Sequence, residues 1–190
     1  MKVKEVLPTL EELGWLCARD EAGDYFCIMN INGVQVQVIP SIGKRSDHFR
    51  VSLMPSVSTK DFTAAAAFIM GEAGDHEPIV VRNGAPEKIV HFALDDIVRL
   101  SQDAISWASA QDIKKGLADY RSLPTDAKGA MPLRHLAALA IVGDAERLKN
   151  YKISFEQGNR LGFVPYIKKD MIERALLIAQ STEGQWGQSH

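Results

Sequence analysis

Tyr25-Phe26-Cys27-Ile28-Met29-Asn30-Ile31-Asn32-Gly33-Val34-Gln35-Val36-Gln37-Val38-Ile39 is the stretch that decides the fold. Asn32-Gly33 accepts the positive φ angles of a type I′ turn, whose twist matches that of the flanking strands, so residues 25–31 and 34–39 read as a β-hairpin. A two-residue loop also fixes the register. Ile31 then faces Val34, Met29 faces Val36 and Cys27 faces Val38, and cross-strand partners share one side of the sheet. One face collects Tyr25, Cys27, Met29, Ile31, Val34, Val36 and Val38. The other carries Phe26, Ile28, Asn30, Gln35, Gln37 and Ile39, polar near the turn and apolar away from it. After the breaker run Pro40-Ser41-Ile42-Gly43-Lys44, residues His48 to Met54 alternate again, with Phe49, Val51 and Leu53 opposed to His48, Arg50, Ser52 and Met54. This is the expected third strand of an antiparallel meander. Its apolar face needs helices to cover it.

Working outward, Thr9 to Ala18 reads as an amphipathic helix with Thr9 as N-cap, Glu12 three residues on and Gly14 as its weak point. Ser58 to Gly71 is a second helix, in which Phe62, Ala65, Ala66 and Ile69 recur at helical spacing, and Glu72 to Glu77 is a polar loop. Ile79-Val80-Val81 is a short strand. Its return strand is read as Lys88 to Ala93, in preference to a helix opened by Pro86, because Ile89-Val90-His91-Phe92 is β-branched and aromatic. Asp95 to Arg121 carries the longest helical stripe, capped by Asp95 and weakest near Gly116. Leu123 to Gly129 is rich in turn formers and marks a boundary. Beyond it come a helix from Pro132 to Val142, a second capped by Asp144 through Phe155, and a third from Asp170 to Gln180. A polar tail, Ser181 to His190, is expected to fray. The expectation is an α+β chain: a five-stranded antiparallel sheet domain over residues 1–123, and an all-helical extension over 124–190 packed on it.

Composition excludes some classes. At 190 residues, 46% of them hydrophobic, the chain can bury a sizeable core without staples. Cys17 and Cys27 form no CxxC and have no His at ligand spacing, so they read as free thiols and a reducing compartment. The start, Met1 to Pro8, lacks the apolar run of a signal peptide, and no run reaches the length of a membrane span, so the expected location is cytoplasmic with no membrane partner. A net charge of -2 with scattered Lys and Arg disfavours nucleic acid, which needs a basic stripe.

No nucleophile elbow, phosphate loop or dinucleotide turn occurs, and no two histidines share a short metal-ligand spacing, so no catalytic residue, metal or cofactor is assigned. Acidic pairs such as Glu11-Glu12 and Asp95-Asp96 fall at the expected helix starts, where the helix dipole would account for them. Pro132 to Ala138 followed by Gly143-Asp144 resembles the first helix of an ankyrin repeat, but it occurs once, and repeats need stacked neighbours. A plain helical hairpin accounts for it.

The order of elements over Val6 to Arg121, namely helix, the Asp24 to Met54 strands, the Phe62 to Ile69 helix, two strands over Ile79 to Ala93 and a long helix from Asp95, resembles the class I type III secretion chaperones and YbjN-like proteins. That resemblance implies no catalytic residues. It implies a surface that binds a partner protein, often in a dimer. The expected function is therefore a non-enzymatic protein-binding module, chaperone-like or toxin-immunity-like, whose partner is a secreted effector or toxin. Phe26, Ile28, Gln35, Gln37 and Arg50 are the candidate contact residues, with the competing expectation that helices cover Phe26 and Ile28. The alternative is an enzyme with a pocket between the sheet domain and the helical extension, drawing on Arg134, His135 and Tyr166.

Overall fold

The computed structural model describes residues 1–74 and 76–186. The chain is α+β with antiparallel pairing throughout, and its C-terminal part is helical. In chain order the elements are α1 (Val3–Glu12), β1 (Leu16–Arg19), β2 (Tyr25–Ile31), β3 (Val34–Val38), β4 (Ser41–Lys44), β5 (Phe49–Ser52) and β6 (Ser56–Ser58). There follow α2 (Lys60–Met70), β7 (Val80–Val81), β8 (Glu87–Ile89), α3 (Leu94–Ser109), α4 (Ile113–Arg121), α5 (Met131–Ile141), α6 (Ala145–Glu156) and α7 (Lys169–Trp186). The order helix, strands, helix, two strands, helix is as expected. No helix among the described residues is long and apolar enough to cross a membrane.

The β2–β3 hairpin forms as its turn dictates. Asn32 and Gly33 both hold positive φ, 50° and 83°. Ile31 pairs with Val34, Met29 with Val36 and Cys27 with Val38. Cys27, Val36 and Val38 are fully buried, so the face inferred to be apolar is the core face. The required cover comes from α1, which packs on β1, β2 and α3, and from α3, which packs on β3. Val6 and Leu10 of α1 and Ile97, Leu100 and Ala104 of α3 are buried.

Five strands do share one sheet, in the order β1-β2-β3-β6-β7, but two expected members lie elsewhere. His48 to Met54 contributes β5, which pairs with β4 and β8 in a separate three-stranded sheet. The presumed breaker run supplies β4, and the expected return strand supplies β8. The cause lies at Met54, which takes φ +42° immediately before Pro55. That reversal sends Ser56–Ser58 back along β3, where the helix start at Ser58 had been expected, and Val57 seats opposite Val36 in the core.

The first helix begins at Val3, not Thr9, and Thr9 is no cap. Glu5 accepts from the Lys2 N–H at 2.7 Å, and Pro8 is carried within the helix, where its missing N–H removes one hydrogen bond. Gly14, at φ +91°, ends it: the Gly14 N–H reaches the Glu11 carbonyl and the Trp15 N–H the Leu10 carbonyl, the paired bonds of a Schellman stop. The chain leaves as β1, in which Cys17 lies directly opposite Cys27. The two are joined in a disulfide, so the expectation of free thiols is overturned.

The long helix is two. It breaks at Ala110–Asp112, where the Asp112 carboxylate caps α4 by accepting from the Lys115 N–H at 2.9 Å, while Gly116 sits buried inside α4. Asp95 is inside α3, whose first turn is closed by Asp96 accepting from the Ala93 N–H. The contacts divide the chain otherwise than at Leu123. One compact unit is Met1–Thr59 with Val80–Gln111; the other is Lys60–Ile79 with Asp112–His190. The first unit holds both sheets with α1 and α3. In the second, α5 packs on α2, α4, α6 and α7, and its Leu133, Leu136, Ala137, Ala138, Leu139 and Ala140 are buried. Residues 181–186, expected to fray, continue α7, and 187–190 lie outside the described residues.

Candidate functional site

Strand pairing in the first unit lines up one row of side chains across the whole five-stranded sheet, on the face away from Cys27 and Val36. Leu16 pairs with Ile28, Ile28 with Gln37, Gln37 with Ser56 and Ser56 with Val81. Beside this row Ala18 pairs with Phe26, and Asn30 pairs with Gln35. Phe26, Ile28, Gln35 and Gln37 are half-buried, and the row ends in exposed apolar side chains, Leu16 at 74% and Val81 at 41%. Ser56 within the row is buried, so the open part of the face runs from Leu16 to Gln37, apolar at the β1 edge and partly polar beyond it. Arg50 is not part of it. It is exposed on β5 in the other sheet, opposite Gly43 and Lys88.

Leu16 escaped the sequence reading because Trp15-Leu16-Cys17-Ala18 was assigned to a helix. In the structure Trp15 is buried, Leu16 exposed, Cys17 half-buried on the core side and Ala18 exposed, an alternation that four apolar residues in a row do not display in the sequence.

The second unit contains a polar cluster. Arg134, on α5, donates from Nε to Glu77 Oε1 at 2.5 Å, and both side chains are largely buried. The Tyr120 hydroxyl, 3.5 Å from Arg134 Nη1, donates to the Pro78 carbonyl at 3.0 Å, and the Glu77 N–H donates to Thr63 Oγ1 at 3.2 Å. These bonds hold the segment after α2 against α5. Next to them lies a cavity of about 190 Å³, lined by Thr63, Ala66, Ala67, Met70, Leu133 and His76 among others. The small side chains of the alanine run leave this space. Burial, helped by the Arg134 charge, lowers the His76 pKa to about 4, so its imidazole is neutral at pH 7.

Of the residues proposed for a catalytic pocket, only Arg134 joins this cluster directly. His135 is fully buried. Its Nδ1 lies 2.9 Å from the Tyr120 carbonyl, which can only accept, so Nδ1 carries the proton and Nε2 accepts from the Tyr151 hydroxyl at 3.0 Å. Burial lowers its pKa, and both ring nitrogens are occupied. It packs with Tyr151 and Phe163, making it a structural core histidine. Tyr166 donates to the Gly129 carbonyl at 2.9 Å. The Phe163-Val164-Pro165-Tyr166-Ile167 segment between α6 and α7 is seated by Phe163 and Ile167, both buried.

In the first unit, Arg99 binds Glu87 through two hydrogen bonds, with Asp96 and Asp103 nearby, so its charge is neutralised on the spot. Among the described residues, no group of three or more His, Cys, Asp or Glu side chains is placed to hold a metal ion. No curated protein and no solved structure matches the chain with significance. A family model does, over residues 2–180, and with nearly its whole length matched the chain belongs to that family of unknown function (DUF6990).

Proposed function

We propose that the protein is a non-enzymatic, cytoplasmic protein-binding module whose contact surface is the Leu16–Ile28–Gln37 side of the five-stranded sheet. The observation that carries this reading is the exposure of Leu16, 74%, beside half-buried Ile28, Phe26, Gln35 and Gln37 on one continuous face. Apolar side chains at the margin of a partly polar surface gain from being dried by a partner, and glutamines supply hydrogen bonds that fix orientation. The likeness in element order to secretion chaperones and YbjN-like proteins supports a secreted effector or a toxin as that partner, with a second copy of the chain as the competing occupant.

The test is affinity capture from the native cell with the wild-type chain and with Leu16→Asp and Ile28→Glu variants, whose folding is checked by thermal melting. One protein recovered in stoichiometric amount with wild type and lost with both folded variants supports the reading. Equal recovery with all three, or none with any, opposes it.

A second reading, a small-molecule enzyme, is favoured by the cavity beside neutral His76 and the Glu77–Arg134 pair. This pocket belongs to the helical unit alone. Native mass spectrometry of the purified protein distinguishes the readings: a retained small molecule that is lost in Leu133→Trp favours the enzyme.

A further inference from the structure

We infer that the Cys17–Cys27 disulfide is a reversible redox latch that fixes edge strand β1 to the sheet. Placement carries the argument. Cys17 and Cys27 are direct cross-strand partners, and β1 has a neighbour on one side only, so β2 and this bond are its lateral attachments within the sheet. The strand is four residues long, with Leu16, Ala18 and Arg19 exposed. Both of its ends are pinned independently. Before it, Trp15 is buried and bonded to Ser101; after it, Asp20 accepts from the Asp24 N–H and Arg19 bonds the Gly23 carbonyl. Opening the latch therefore leaves the strand attached to the sheet through its β2 ladder alone, between two fixed points, without unfolding the unit. The bond spans only 10 positions, so its loss costs the global fold less than one closing a long loop.

Access also has a direction. Cys27 is fully buried while Cys17, on the edge strand, is half-buried, so Cys17 is the more accessible of the two to an incoming thiolate. With a dithiol as reductant, one thiolate attacks Cys17 Sγ, the S–S bond breaks, and Cys27 leaves as a thiolate that takes up a proton. The second thiol of the reductant then attacks the mixed disulfide and releases Cys17 as a thiol. Two electrons and two protons pass to the protein, and the dithiol becomes a disulfide. Thiol–disulfide exchange of this kind runs in either direction, according to the redox poise of the surroundings. The latch stands without the binding reading; only its effect on partner capture through Leu16 rests on that reading.

The experiment equilibrates the full chain with mixtures of reduced and oxidised dithiothreitol, counts free thiols by alkylation and mass spectrometry, and follows amide hydrogen exchange in both forms. The expected result is full, reversible interconversion, with exchange over residues 16–19 faster by about tenfold or more in the dithiol form and unchanged protection in β3 and α5. A Cys17→Ser variant should match the dithiol form. Thiols that stay free in excess oxidised dithiol, a bond that resists excess reductant in the folded chain, or equal exchange over 16–19 in the two forms would each overturn the inference. Exchange in the wild-type chain decides it even where the variant fails to fold. Reversible interconversion together with failed partner capture would remove the binding reading and leave the latch.

Discussion

The indole N–H of Trp15 donates to the hydroxyl of Ser101 across 2.8 Å, with both side chains buried. The bond ties the residue just after the α1 stop to the middle of α3, 86 positions away, and so sets where β1 begins. Ser101→Ala removes the acceptor and leaves a buried indole donor unpaired. A loss of about 1–3 kcal/mol in unfolding free energy is expected, measured by urea titration. A loss below about 0.5 kcal/mol would mean that the indole finds another acceptor.

The turn at Asn32-Gly33 gives a cleaner comparison. A Cβ at Gly33 would meet nothing within 4 Å, so Gly33→Ala is penalised only by the residue's φ of +83°. The expected cost is about 1–2 kcal/mol. Asn32→Gly keeps positive φ available and should change stability by no more than about 0.5 kcal/mol. Equal effects of the two substitutions would contradict the type I′ assignment.

Acid should weaken the helical unit before its carboxylates titrate. The pKa of His76 is about 4 in the fold against 6.5 as a free group, and burial lowers that of His135 as well. Between these values the unfolded chain binds more protons than the folded one, so stability falls as pH drops below 6.5. From pH 7 to pH 5 the His76 contribution to that loss is about 1–2 kcal/mol. His76→Gln should flatten much of this slope in urea midpoints measured at pH 7, 6 and 5; a variant with the wild-type slope would show that His76 binds protons equally in the folded and unfolded chain.

How much could be read from the chain follows from how local each signal is. Asn32-Gly33 fixed two strands, their register and the core side of Cys27 and Val36 because a two-residue turn leaves no freedom. The helices α5 and α6 matched their apolar spacing, with Asp144 accepting from the Arg147 N–H as its cap. What escaped depends on distant partners. β1 and β6 are short strands that exist because β2 and β3 lie beside them, and neither Leu16-Cys17-Ala18-Arg19 nor Ser56-Val57-Ser58 carries enough alternation to declare itself. The disulfide has no motif, since its cysteines meet through strand pairing. The split of the long helix at Asp112 was overlooked because Asp is common on exposed helix faces, and its role as a cap shows only in the bond from Lys115. The Glu77–Arg134 pair joins residues 57 positions apart, beyond the reach of any local pattern.

The central claim, that the Leu16–Ile28–Gln37 side of the sheet is an interface, is tested most directly by site-specific photo-crosslinking in the native cell. A photoreactive residue is placed in turn at Leu16 and Gln37 on that face, and at exposed Val90 and Leu177 as comparison positions. One discrete protein adduct from positions 16 and 37, absent from 90 and 177, is the predicted result. No adduct at 16 and 37, or the same adducts from all four positions, would contradict the account.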